Sequence, residues 1–399
     1  MRILFLTQRL PYAPNRGDRV RAYHLLKHLR PHAEIDLVSF VHDAEEASHA
    51  GEAAALASTV EAIPVPRVRN LIRSGLSLPT SRPTTHTMLD APDARRRIAR
   101  LVQANPPSVV LAYCTGAAHL AFEPPLANVP LIVDMVDVDS AKWAALARET
   151  TFPKSWIYRR EARCLAEFER RAVRRAFATL ITTETERSAL LALAPDARVE
   201  VVQNGVDAEA LRPTEPPALS ATVVFCGVMN YEPNEQGALW LAREVWPHVR
   251  ARRPDARLQL VGSSPTAALR ALTAADGTIE VTGSVPDVRP YLWNAAVAVA
   301  PLLVARGVQN KVLEAVAAGL PTVATPVVMI GVPPEMQPAC ITADGATAFA
   351  AAIVDLLGKT PTERRAIAER ASVSGLTWEE RLRGVSDLVA AAATRAAHR

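Results

Sequence analysis

Twelve short apolar runs alternate with helical stretches along both halves of this 399-residue chain. In the first half they are Ile3–Thr7, Ile35–Phe40, Val109–Ala112, Leu131–Asp134, Thr179–Thr182 and Val199–Val202. In the second half they are Thr222–Cys226, Leu258–Val261, Thr278–Val281, Val297–Ala300, Thr322–Ala324 and Cys340–Thr342. A strand that is apolar on both sides needs cover on both faces, and parallel sheets flanked by helices provide it. Alternation with helices makes the class α/β, with open parallel sheets. Between the halves, LRPTEPPALSA at Leu211–Ala221 is rich in proline and polar residues and reads as a linker. The expected architecture is therefore two Rossmann-like, doubly wound domains facing each other across a cleft. Residues 1–208 and 209–375 form the domains, and an amphipathic tail, 376–399, packs back on the first.

Composition narrows the function classes. Nearly half the residues are hydrophobic and 22% are charged, as a well-filled core requires. The net charge of +4, from 45 basic and 41 acidic residues, is too small an excess to argue for nucleic acid. The opening apolar run meets Gln8, Arg9 and a turn too soon for a signal peptide. No window approaches the roughly 20 apolar residues of a spanning helix. Four cysteines lie far apart with no C-x-x-C pair, so neither a disulfide framework nor a zinc site is expected, and a reducing cytoplasm is. G-x-S-x-G and G-x-x-x-x-G-K-[ST] are both missing, which removes support for a hydrolase elbow or a P-loop kinase.

The stretch Val297–Thr325 concentrates the chemistry. It reads as strand, glycine-containing loop, amphipathic helix and strand, with Gly319 and Pro321 as stop signals. The loop delivers backbone N–H groups and the positive end of a helix dipole to an anion. Lys311 adds a full positive charge, and Glu314, on the same helix face, can accept two hydrogen bonds from a ribose diol. An anion-holding end beside a carboxylate suits a nucleoside-diphosphate ligand.

Other loops fall at equivalent places. After the first run, Pro11–Arg19 contains Gly17, where backbone can approach a ligand, and Asp18, placed to cap the following helix. An ordinary strand–helix connection explains that loop as well. In the second half Gly227–Asn234, which includes Asn230, lies beyond a strand and before a helix and could meet a phosphate through its amides. Gly262 and the Gly283–Asp287 loop end two further strands, with backbone near Val285 a natural contact for a base edge. Asp134, Asp137 and Asp139 are spaced as in hard-metal sites. The alternative reading has one facing the cleft and another capping a helix. His24, His28 and His32 recur at spacing four and read as a solvated helix face, since no H-E-x-x-H accompanies them. The arginines from Arg159 to Arg175 are interleaved with Glu161, Glu167 and Glu169. They read either as a salt-bridged solvated helix or as contact with anionic lipid head groups.

Taken together, NGVD at Asn204–Asp207, FCGVMNYEPN at Phe225–Asn234, VTGSVPDVRPYL at Val281–Leu292 and NKVLEAVAAGLPTVAT at Asn310–Thr325 resemble a GT-B glycosyltransferase of family 4. RLPYAPNRGDRVRAYHLLKHL and DMVDVDSAKW look closer to its branch associated with the PEP-CTERM/XrtA exopolysaccharide system. The resemblance implies a retaining, metal-independent transferase. It would take a UDP- or GDP-linked sugar as donor and no further cofactor. Its acceptor is a glycan or a lipid-linked saccharide, met in the cytoplasm or at the inner membrane face, with no nucleic acid partner. It matches Glu314 to the glutamate that binds the donor ribose, Lys311 and the loop before it to the diphosphate and sugar contacts, and Gly17 to the glycine loop near the donor phosphates and acceptor; with the loops read above, the expected donor contacts are Gly17, Gly227, Asn230, Gly262, Val285, Arg306, Gly307, Gln309, Asn310, Lys311, Val312 and Glu314. Lys311 is also assigned to catalysis, with Asp18 and Asp137 orienting the acceptor. The chain departs from the family pattern at three points. Arg306 stands where a glutamate is common, Met229-Asn230-Tyr231 replaces an Arg…Lys pair, and Val136 or Asp137 takes the place of a histidine. Those departures keep two other readings open: a nucleotide-sugar epimerase of the same fold, and a catalytically silent scaffold of a polysaccharide assembly.

Overall fold

The computed structural model describes residues 1–12, 17–216, 219–305 and 307–397. The chain divides into two compact units, Met1–Gln203 with Leu382–Arg399, and Asn204–Arg381. The first holds seven parallel strands: β1 (Arg2–Thr7), β2 (Glu34–Val41), β3 (Thr59–Pro64), β4 (Val109–Tyr113), β5 (Leu131–Val136), β6 (Ala178–Ile181) and β7 (Val199–Val201), in the order β3-β2-β1-β4-β5-β6-β7. The second holds six: β8 (Thr222–Cys226), β9 (Arg257–Val261), β10 (Ile279–Gly283), β11 (Val297–Ala300), β12 (Thr322–Ala324) and β13 (Cys340–Thr342), in the order β10-β9-β8-β11-β12-β13. In each sheet the chain walks from its first strand to one edge and then crosses back to start beside that strand. The reversals lie between β1 and β4 and between β8 and β11. These are the switch points where open α/β sheets take ligands. The central strands are apolar on both faces and fully buried, Val109–Tyr113 and Val297–Ala300 among them.

One strand departs from the sequence reading. β3 carries Thr59, Glu61 and a terminal Pro64, and of its residues only Ile63 is buried. It is the edge strand beside β2, where polar side chains and a proline are tolerated because one side of the ladder is unpaired. The helix expected after the loop Gly227–Asn234 begins within that loop, at Glu232, and widens into a π-type turn at Leu241–Val245 before Trp246–Arg252. Pro247 explains the widening, because its ring and missing N–H cannot fit a regular helical turn.

Two charged surfaces also differ from expectation. His24 is buried, His28 is part-buried and bonded to Ser386 Oγ at 3.0 Å, and His32 lies beyond the helix Gly17–Leu29, so no solvated histidine face exists. On the helix Lys154–Arg175, Arg160 is buried and Glu161 and Glu169 with it. Arg160 donates to the carbonyls of Ser77 (2.9 Å), Leu78 (2.9 Å), Thr80 (2.6 Å) and Arg82 (2.7 Å). Arg175 likewise donates to the carbonyls of Leu126 and Ala127. These arginines close buried polar groups that would otherwise be costly.

Close backbone approach at the second switch point rests on glycine. A Cβ on Gly262, whose φ is +151°, would lie 1.7 Å from the Gly227 carbonyl oxygen. Gly262→Ala is therefore expected to cost about 3 kcal/mol, the upper end for overpacking, and to lower the melting temperature by about 6–12 °C. Scanning calorimetry checks this, and a variant that melts like the parent would contradict the packing described.

Candidate functional site

The second switch point is built by two loops and one helix. Beyond β8, Gly227 donates to the Val261 carbonyl and leads into the helix Glu232–Trp240. That helix can approach the end of β11 because Gly237 has no side chain, and a Cβ there would sit 2.8 Å from the Pro301 carbonyl oxygen. Beyond β11 comes the helix Asn310–Ala317, which opens at Gln309 without a side-chain cap. Its C-terminus is closed by a Schellman motif: Gly319 N donates to Val316 O at 2.9 Å and Leu320 N to Ala315 O at 3.0 Å, with Gly319 at φ +79°. The asymmetry matters. The carbonyl end is satisfied within the protein, while no side chain caps the first-turn N–H end.

Lys311 and Glu314 project from the part-buried face of this helix. Lys311 Nζ donates to Asn234 Oδ1 at 2.6 Å and lies 4.7 Å from the centroid of the Phe225 ring. Asn234 is oriented in turn by its own bond, Nδ2 to Val228 O at 2.9 Å. Thus the loop beyond β8 positions the lysine carried by the helix beyond β11. Desolvation pulls the Lys311 ammonium down to about 8, opposed by Cys226 and Glu314. Desolvation likewise pushes the Glu314 carboxyl up to about 7, opposed by Lys311. Beside them burial drives the Cys226 thiol up to about 12, so it stays neutral. The arrangement can neutralise an anion at the helix end and accept hydrogen bonds one turn further in.

The remaining donor-side residues are placed as follows. Gly227 and Gly262 form the tight glycine contact already described. Asn230 is exposed at the turn before the helix Glu232–Trp240, and Val285 is part-buried in the loop beyond β10. Gly307 is exposed with φ +62°, and its carbonyl would meet a Cβ on Gly331 at 2.1 Å. Asn310 Oδ1 faces Asn204 Nδ2 at 3.5 Å. Val312 departs from the expected donor role: its side chain is in the core and its N–H already donates to Gln309 O at 2.9 Å. Arg306 lies outside the described residues, as do residues 13–16 of the first loop. Gly17 begins the helix Gly17–Leu29, and Asp18 is its second residue.

In the first unit the carboxyl ends of β4 and β5 carry two residues in the left-handed region, Cys114 at φ +64° and Val136 at φ +67°. A β-branched residue there is strained. Thr182 holds Val136 by donating twice to its carbonyl, from N at 3.2 Å and Oγ1 at 2.9 Å. Asp137 follows, exposed.

The three neighbouring aspartates do not converge on a metal. Asp134 is fully buried and accepts from Arg21 Nε at 2.7 Å, Asp137 is exposed, and Asp139 accepts from Thr115 Oγ1 at 2.6 Å. Among the described residues no group of three or more His, Cys, Asp or Glu side chains could hold a metal ion. Nor does an aspartate cap the helix Asp139–Glu149. Glu186 accepts from Val138 N at 2.6 Å and Glu169 from Ser140 N at 2.9 Å, both reaching across from other helices.

Sequence reasoning missed Asn234 as the partner of Lys311, and it missed the buried arginines. Arg19 pairs with Glu46 at 3.3 Å and Arg21 with Asp134. Nothing local signals either contact, because Asn234 and Lys311 are 77 positions apart and Arg21 and Asp134 are 113 apart.

The comparisons with known proteins bear on the family and the fold. Residues 16–205 match the family model described as "Glycosyl transferase 4-like domain", and residues 220–359 match "Glycosyl transferases group 1". No curated protein sequence matches the chain. Among solved structures, sucrose-phosphate synthase from Thermosynechococcus elongatus superposes with a TM-score of 0.65 at 15% identity, covering 100% of this chain and 97% of that one. Trehalose 6-phosphate synthase from Burkholderia multivorans gives 0.64 at 14%, covering 100% and 98%. Anabaena HepE, solved in complex with UDP-glucose, gives 0.61 at 14%, also covering 100% and 98%. At such identities the likeness concerns the fold. With the two family models spanning most of both units, the chain belongs to the group 1 glycosyltransferases and has the GT-B fold.

Proposed function

We propose that this protein is a retaining glycosyltransferase. It moves a sugar from a nucleoside-diphosphate sugar to a glycan or lipid-linked acceptor in exopolysaccharide assembly, without a metal. The observation that carries the donor half is the placement of Lys311, held by Asn234, and Glu314 one turn apart on a helix that no side chain caps at its N-terminus, at the switch point of the second sheet. In this reading the first-turn amides and Lys311 bind the diphosphate, and ionised Glu314 accepts from the ribose hydroxyls. As the bond from the anomeric carbon to the phosphate oxygen breaks, negative charge grows on the leaving diphosphate, where those donors stabilise it. The acceptor oxygen bonds the anomeric carbon on the same face, and its proton passes to the departing phosphate, so no protein base is required. Asp18, Asp137 and the strained carboxyl edge of β4 and β5 belong to acceptor orientation.

The test is a panel of UDP- and GDP-linked sugars, read by thermal stabilisation and slow hydrolysis, with the anomeric configuration of the product followed by NMR. One preferred donor and a retained configuration support the proposal. A β-configured product from an α-configured donor overturns retention, and no stabilisation by any donor overturns the function.

The site also fixes a pH window for donor affinity. Glu314 must be ionised, which in the free protein requires a pH above about 7. Lys311 must be protonated, which requires a pH below about 8. Affinity is expected to peak between these values and to weaken up to about tenfold per pH unit well outside them. Calorimetric titration of the donor from about pH 5.5 to about 9.5 checks this, and the acid limb should vanish in Glu314→Gln.

A further inference from the structure

The helix Arg67–Ser77 is inside out. Its buried residues are Asn70 and Ser74, while Val68 is 77% exposed, Leu71 65%, Ile72 63% and Leu76 74%. At 3.6 residues per turn, Val68, Leu71, Ile72, Gly75 and Leu76 form an apolar arc of about 140°. Arg69 and Arg73 flank one side of the arc and Arg67 the other. The orientation is fixed from within. Asn70 Nδ2 donates to the carbonyls of Met88 (3.0 Å) and Asp90 (2.7 Å), and Arg73 pairs with Asp90 at 2.9 Å. Arg160 clamps the chain just beyond the helix through the carbonyls of Ser77, Leu78 and Thr80.

We propose that this helix docks the protein in the plane of an anionic lipid bilayer. Three observations select a bilayer over a protein partner. The 28 residues from Ala62 to Leu89 hold four arginines and no Asp or Glu; Asp90 just beyond pairs with Arg73 and Arg82, and the exposed Arg67 and Arg69 beside the apolar arc call for an anionic surface. The apolar stripe runs along one exposed helix with cations on both flanks, the pattern of interfacial helices. Beside the helix end, Trp156 shares a groove with Leu78, Pro79 and Arg163 and is 51% exposed, as aromatic residues are at the headgroup level. Among the described residues no helix is long and apolar enough to cross a membrane, so this contact lies along the surface. The inference goes beyond the donor reading and does not rest on it.

Flotation of the full chain with vesicles tests the proposal, using phosphatidylcholine alone and phosphatidylcholine with one-third phosphatidylglycerol. The parent is expected to float with the anionic vesicles, and binding should weaken as salt rises. Leu71→Glu with Ile72→Glu should lower binding at least about tenfold. Arg67→Ser with Arg69→Ser should lower it about tenfold on anionic vesicles. All four side chains can be replaced without touching the core, so the melting temperature and donor hydrolysis should stay at parental values. Failure of the parent to bind either vesicle, or undiminished binding by the Leu71/Ile72 variant, overturns the proposal. So does a parental dimer in solution that this variant converts to a monomer, which would assign the face to a second copy of the chain.

Discussion

Glu314→Ala is expected to abolish stabilisation by the preferred nucleotide sugar and to lower turnover by at least about a hundredfold. The carboxylate sits one turn inside a helix whose N-terminal amides have no side-chain cap, beside a lysine held by Asn234. Its loss removes two charge-assisted hydrogen bonds, each worth about 1.5–3 kcal/mol in a desolvated site. That sum corresponds to a loss of affinity of two to four orders of magnitude, roughly a factor of ten for each 1.4 kcal/mol. The substitution should not cost stability, because burial already disfavours the charged carboxyl in the free protein and holds it at about 7. Without ligand the parent carries this group as a liability above that pH, and stability attributable to it is lost as pH rises through 7. Glu314→Ala should thus melt no lower than the parent at about pH 8. Equal donor shifts in the two proteins would remove Glu314 from the site. Lys311→Ala provides the complementary case: turnover at the parental rate would exclude the lysine from leaving-group stabilisation.

The second large effect is expected at the buried pair of the first unit. Asp134 has no exposed surface and Arg21 is 2% exposed, and the two meet at 2.7 Å. Burial pushes the Asp134 carboxyl up, with Arg21 opposing it. Asp134→Ala leaves a guanidinium without its main counter-charge in the core, at a cost of about 3–5 kcal/mol. The chain should melt about 6–20 °C lower. Adding Arg21→Met should restore part of that loss, giving a coupling energy above about 1.5 kcal/mol in a double-mutant cycle. Additive effects would show that the pair does not act as a unit. Donor binding should survive in these variants, since the proposed donor contacts other than Gly17 all lie in the second unit.

The fold was legible where burial writes itself into one strand at a time. Continuous apolar runs such as Val109–Ala112 and Val297–Ala300 leave no polar face to solvent, and the parallel α/β class follows. β3 escaped because an edge strand needs only one apolar side chain, Ile63, and tolerates Glu61 and Pro64. The helix Asn310–Ala317 could be placed because its stop signal, Gly319, is local. Its partner Asn234 could not, because that contact is made only when β8 and β11 come side by side. Arg19 and Arg21 could not be placed in the interior for the same reason, as their carboxylates arrive from distant segments. The helix Arg67–Ser77 shows a different limit. Only the packed structure shows which face of it the protein keeps.

The central claim is that the carboxyl edge of the second sheet, between β8 and β11, grips the donor. Amide hydrogen exchange of the intact protein with and without the preferred nucleotide sugar tests it most directly. Slower exchange is expected in the loop 227–234 and in the first turn of the helix Asn310–Ala317, the segments that the proposed donor would touch. Donor-induced protection confined to other segments, with both of these left unchanged under saturating donor, would contradict it.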